Sequence, residues 1–198
     1  MSNIVYVVNT WMDDINWHKG KIVDRVRAVQ TSAMDILQKQ LQANGYEPKA
    51  FLGKSKIFDL EKTIGSLLKQ AAADEPIAIA FSVLSDRYRY MLAFVERIRE
   101  KYPTIPLIGG GLHFAENDPD VLDWGLRDLD AIVVGHSGPL IPLLAKIKEG
   151  AFELRDGRLK IETSLGELAE WMPKVYQKID GRIVNIDARY EMSDLPTD

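Results

Sequence analysis

The chain of 198 residues contains no cysteine. Disulfides, thiolate nucleophiles, zinc–thiolate sites and iron–sulfur ligation all draw on cysteine sulfur, so each is excluded for this chain acting alone. No apolar run approaches the roughly 20 residues that span a bilayer, and the apolar start Ile4–Val8 is too short for a signal-peptide core, so a cytoplasmic location is expected. A basic excess is missing too. The 25 Lys and Arg are outnumbered by 29 Asp and Glu and interleaved with them, giving a net charge of -4 and no stripe to neutralise phosphates. Nucleic acid and membrane are therefore not expected partners. There is no Gly-x-Ser-x-Gly elbow, and neither Ser82 nor Ser137 has a histidine–acid pair that sequence links to it, which leaves hydrolase chemistry unsupported.

What is present suits one folded α/β domain. Hydrophobic residues make up 46% and charged residues 27%, the balance of a soluble chain with a sizeable core. Asn3–Asn9 is an apolar, β-branched run expected to form a strand buried on both faces. Val23, Val26, Val29, Met34, Ile36, Leu37 and Leu41 then recur at roughly helical spacing until Asn44-Gly45 stops them. Further strands are expected at Glu47–Leu52, Pro76–Ser82, Ile105–Ile108 and Asp130–Val134. Helices are expected at Ile57–Ala73, Asp86–Tyr102, Pro119–Leu126 and Leu140–Lys148. Strict alternation of strand and helix implies a doubly wound, Rossmann-like (flavodoxin-like) and mainly parallel five-stranded sheet over residues 1–150. Residues 151–198 read as a hairpin extension and linker, because Asp156-Gly157 and Asp180-Gly181 each sit between short strand-like runs and the end is polar with Pro196.

In an open parallel sheet, ligands bind outside the carboxyl ends of the strands. Here those ends carry Asn9 and Thr10, then Ser82, Leu84 and Ser85, then Gly109, Gly110 and Gly111, and then Gly135 and His136. Glycines let a ligand approach the backbone and leave N–H groups to donate, and serine hydroxyls serve the edge of a flat ring or a phosphate. The glycines read equally well as a tight strand-to-loop turn.

Taken in order, Ala78–Ser82, then Pro106-Leu-Ile-Gly-Gly-Gly-Leu-His113, then Glu116-Asn-Asp-Pro119, then Asp130–Gly135 resemble the cobalamin-binding domain of the cobalamin-dependent radical-SAM enzymes. Gln42–Glu47 and the tail Ser193-Asp-Leu-Pro196 fit the same pattern, so the resemblance covers nearly the whole chain. It implies a cofactor, cobalamin, whose nucleotide tail enters between the strand ends against Ser82, Ser85 and Gly109–Gly111, with the corrin lying above. It also implies a radical-SAM domain or protein as partner, probing the strand ends and the tail beyond Gly150. That partner would supply S-adenosylmethionine and the iron–sulfur cluster for methyl transfer, since a chain without cysteine cannot hold the cluster and is not catalytic alone. His113 matches the family's Gly-Gly-x-His and is expected to brace its loop. Gly135-His136 departs from the family's Gly-Glu pair.

Other cobalamin domains carry a cobalt-binding histidine in Asp-x-His-x-x-Gly, and this chain has Asn16-Trp-His18-Lys-Gly20 near that place. His18 reads first as a loop histidine, and radical-SAM relatives commonly bind cobalamin without one. Trp11 and Trp17 lie in the same stretch, either packing on the first helix or covering the corrin. Three other classes stand beside this reading. A phosphoacceptor receiver is disfavoured because Phe81-Ser82 and Gly135-His136 stand where its aspartate and lysine belong. A flavin- or nucleotide-binding flavodoxin-like module would use the same serines and glycines, although Asn9–Gly20 offers a single glycine for a phosphate loop. A docking or structural domain that has kept the fold and lost the cofactor is the third.

Overall fold

The computed structural model describes residues 2–12, 33–53, 60–85, 88–114, 118–135, 137–150, 153–155, 158–160, 174–179 and 182–186. In chain order the strands are β1 Ile4–Met12, β2 Glu47–Gly53, β3 Ala78–Ser82, β4 Leu107–Gly110, β5 Ala131–Val134, β6 Glu153–Arg155, β7 Arg158–Lys160, β8 Lys174–Ile179 and β9 Arg182–Ile186. The helices are α1 (residues 33–43), α2 Leu60–Asp74, α3 Tyr88–Lys101, α4 Pro119–Asp128 and α5 Leu140–Lys148. No helix among the described residues is long and apolar enough to cross a membrane.

The sheet runs β2-β1-β3-β4-β5-β8-β9. Its first five strands are parallel, and β8 and β9 join antiparallel. Among the described residues the sheet therefore has seven strands rather than the five expected from sequence. The cause lies at β5, whose four residues are all buried. Left at an edge, that strand would keep a row of unpaired backbone groups, and β8 takes them up through Ile132↔Tyr176, Val133↔Val175 and Val134↔Lys174. The other expected hairpin, β6–β7, forms a separate two-stranded sheet.

Alternating side chains build a core on each face. Tyr6 and Val8 of β1, Ile79 and Phe81 of β3, and Ile132 and Val134 of β5 pack with Ile64 of α2, Phe94 of α3 and Leu126 of α4. Val5 and Val7, Ala78 and Ala80, and Ala131 and Val133 pack on the opposite face with Met34 and Leu41 of α1 and Leu143 of α5. Two helix ends are set locally. α1 closes where Gly45 takes a φ of 77° and Tyr46 N–H reaches back to the Leu41 carbonyl at 3.0 Å. α4 opens on Asp118, whose carboxylate accepts from the Asp120 and Val121 N–H groups, with Pro119 in the first turn.

Two strand boundaries differ from expectation. β1 runs on to Met12, so Asn9 and Thr10 lie inside it rather than after it. β4 starts two residues late and takes in Gly109 and Gly110. Pro106 has no N–H for the ladder, and the Leu107 N–H goes instead to the Asp130 carboxylate at 2.7 Å. Gly109 and Gly110 are paired with Phe81 and Ser82, so their backbone is partly committed to the sheet rather than to a ligand.

Candidate functional site

A cleft of about 260 Å³ opens at the carboxyl ends of β3, β4 and β5, on the face covered by α1 and α5. Its origin is the size of the side chains on that face. The strand residues pointing there are Ala80 and Ser82 on β3, and Ile108 and Gly110 on β4. The outermost positions, Ser82 and Gly110, sit side by side in the register, and neither carries a bulky group to meet α1. Met34 and Leu37 of α1 form the opposite wall, with the exposed Ile36 at its edge. Val133 of β5, Leu140 of α5 and Gly135 and Ser137 after β5 also line it. Among the described residues the lining is mostly apolar and carries no charged side chain.

The three glycines of the β4 end do different work. A side chain on Gly109 would run into Leu129 and Phe114 on the α4 face, so this glycine serves packing. Gly111 has a φ of 98°, and a Cβ there would lie 2.7 Å from the Val83 nitrogen and 2.8 Å from its oxygen. It makes the turn, as a left-handed residue close to another backbone must. A Cβ on Gly110 would meet only the Val133 carbonyl oxygen, at 3.2 Å, and is the one that would fill the cleft face.

Of the residues singled out from sequence, Ser82, Gly109, Gly110, Gly111 and Gly135 line the cleft. Asn9 pairs with Ser82 in the register and is half-buried beside it. Leu84 and Ser85 follow β3 without lining the cleft. Ser85 Oγ instead faces His113 Nδ1 at 3.2 Å, and the imidazole packs at a tilt against Tyr88 and edge-on against Phe114, with centroids 4.7 and 4.8 Å away. The His113 backbone N–H also donates to the Val83 carbonyl at 3.1 Å. Burial holds the His113 imidazole below its ordinary range, and burial pushes the Tyr88 phenol up to about 12. His113 thus ties the β3 and β4 loops together as an uncharged ring. His136, His18, Trp17 and the Thr10 and Trp11 side chains lie outside the described residues. Among the described residues no group of three or more His, Cys, Asp or Glu is placed to hold a metal ion.

Sequence reasoning missed the α1 wall, because Met34 and Leu37 read simply as core positions of an amphipathic helix. It also missed Gln40, which is 8% exposed and accepts a short hydrogen bond from the Ser137 hydroxyl, linking α1 to the β5–α5 loop. A glutamine on the buried side of α1 was the available signal.

Residues 146–196 match a family model described as a domain of unknown function, DUF7948. That stretch takes in the end of α5 and strands β6 to β9, and none of its described residues lines the cleft. No curated protein matches the chain.

Proposed function

We propose that this chain is a cobalamin-binding module that presents the corrin to a radical-SAM domain or partner protein, most simply for methyl transfer. The observation that carries the reading is the cleft beside Gly110, at the carboxyl ends of strands arranged in the flavodoxin-like order 2-1-3-4-5. Ligands of such sheets sit at this end, and a mostly apolar pocket with a few polar groups is the usual form of a small-molecule site.

The residues fit the group in three respects. An empty cavity of about 150 Å³ accepts a benzene ring, so about 260 Å³ suits a larger flat ring such as a nucleotide base while leaving a corrin outside. Gly110 lacks the side chain that would block such a ring. The lining is uncharged among the described residues, which suits a neutral ring better than a phosphate and supports this reading over a flavin mononucleotide site. Ser82, Gly110, Gly111, Gly135 and Ser137 would hold the tail, with Met34 and Leu37 against its face. Bound cobalamin would supply a carrier for the methyl group. The chain's own residues would bind and orient it and keep water from the buried tail. Reaction on a substrate would need a cysteine-bearing partner, since this chain contains no cysteine.

The test is titration of the purified chain with hydroxocobalamin, followed by desalting and absorbance spectroscopy. Retention of about one corrin per chain supports the module. A Gly110→Val chain that still melts cooperatively should retain none. Absence of corrin from the unaltered chain at high micromolar concentration, with and without a radical-SAM partner, would sink the reading and leave a docking domain.

A further inference from the structure

The cleft offers a ring very few polar groups. Among the described residues only Ser82 and Ser137 bring polar side chains to its lining. The backbone of its β4 wall is already engaged within the protein. The Gly110 carbonyl accepts from the Val83 N–H at 2.9 Å, and the Gly111 carbonyl accepts from the Phe114 N–H at 3.1 Å. Gly109 and Gly110 are also paired with Phe81 and Ser82 in the sheet. The α1 wall, formed by Met34, Ile36 and Leu37, gives a ring apolar contact alone.

Bases of similar size but different polarity respond differently to such a slot. Dimethylbenzimidazole, which ends the tail of cobalamin, carries methyl groups on a ring whose other nitrogen is taken up by the ribose. Adenine, which a cobamide can carry there instead, exposes several ring nitrogens and an amino group. Both are fused bicyclic rings, so a cleft of about 260 Å³ does not separate them by size. Water separates them. Each adenine nitrogen buried without a partner carries a desolvation cost, whereas the methyl groups gain by leaving water for Met34 and Leu37.

We infer that the cleft selects among cobamides by their base, taking an alkylated benzimidazole over a purine, with Leu37 setting the preference from the α1 wall. This selectivity rests on the tail entering the cleft, as proposed above. Leu37 is the half-buried member of that wall, whereas Met34 is 3% exposed and belongs to the core. A polar side chain at Leu37 would therefore reach the ring without opening the core, and would offer adenine the partner that the present wall withholds.

The test is NMR titration of the full chain with free dimethylbenzimidazole and free adenine, at a pH where both are uncharged, beside the hydroxocobalamin retention described above. Dimethylbenzimidazole should bind about ten- to hundredfold more tightly than adenine, the range expected when a buried polar group loses its partner, and should shift the amide signals of Gly110 and Ser137. Leu37→Asn should shrink the preference about two- to tenfold. Ile36→Asn, on the exposed edge of the same wall, should shrink it in the same direction and serves if Leu37→Asn does not fold. Equal binding of the two bases, tighter binding of adenine, or binding of neither at millimolar concentration would overturn the selectivity, and retained hydroxocobalamin would then leave the cobalamin reading standing. A preference unchanged in both variants would place the bases outside the cleft and also overturn it. If the bases behave as expected while hydroxocobalamin is not retained, the cobalamin reading falls, and the choice among cobamides falls with it.

Discussion

Arg99 Nη2 lies 2.5 Å from Asp130 Oδ2, and the Asp130 carboxylate is wholly enclosed while the guanidinium keeps partial access to solvent. The same oxygen accepts from the Leu107 N–H at 2.7 Å. Arg99 also donates to the carbonyls of Pro103 and Ile105, both at 3.1 Å. One carboxylate just before β5 thus fixes the start of β4 and the turn after α3. Removing one partner of a buried pair leaves the other charge uncompensated. Asp130→Ala is expected to lower stability by about 3–5 kcal/mol, read by urea denaturation. A loss under 1 kcal/mol would mean that water reaches the site.

Gly110 and Gly111 are adjacent and should respond in opposite ways. Gly111→Ala forces a side chain into the left-handed region and against Val83, so a loss of about 1–3 kcal/mol is expected from the backbone alone. Gly110→Ala meets one carbonyl oxygen at 3.2 Å, which a small shift relieves, and should change stability far less while reducing the space for a ligand. Thermal melts of the two variants, beside hydroxocobalamin titration of Gly110→Ala, check both outcomes.

His113 makes stability depend on pH. Its folded pKa is lowered by burial, so the unfolded chain binds the proton more tightly. The contribution is intact above the ordinary histidine value of about 6.5 and is lost progressively as pH falls below it. Melting temperature should drop between pH 7.5 and pH 5.5. His113→Phe, which retains a ring against Tyr88, should flatten that drop. An identical profile in the variant would assign the dependence to other groups.

The attachment of β8 to α4 offers a fourth test. Lys178 Nζ lies 2.5 Å from Asp123 Oδ1, and Arg127 Nη2 lies 2.9 Å from Asp123 Oδ2. Hydrogen bonds from Lys178 and then Arg127 hold the Asp123 carboxyl below its ordinary value. This contribution is present above the ordinary aspartate range and disappears as pH falls through the lowered pKa. Asp123→Ala should raise amide exchange in β8 and β9 more than in β3. Uniform exchange across both would show that the ion pair does not anchor the hairpin.

Much of the scaffold was legible in the chain because its signals are local. The buried runs around Ala78–Ser82 and Ala131–Val134, the Asn44-Gly45 stop and the Asp118-Pro119 start depend on near neighbours, and β2 to β5 with α2 to α5 fall within a few residues of their expected places, whereas Val23, Val26 and Val29 of the expected first helix lie outside the described residues. The late start of β4 was hidden because it depends on a hydrogen bond from Leu107 to Asp130, 23 residues on. The joining of β8–β9 to the sheet depends on the pairing needs of β5, which no local pattern of the hairpin reveals.

The same division runs through the site. From the order of residues alone it followed that small and polar groups gather at the strand ends, and that this chain, lacking cysteine, holds no iron–sulfur cluster. Only the tertiary structure separated the glycines into packing, turn and cleft positions, since each role depends on which distant atoms face the missing Cβ. It likewise took Ser85 to His113 and Ser137 to Gln40. Residue type sets what a serine can donate or accept, but its partner is chosen by how α1 and the loops close over the sheet, through contacts spanning up to 97 residues of chain.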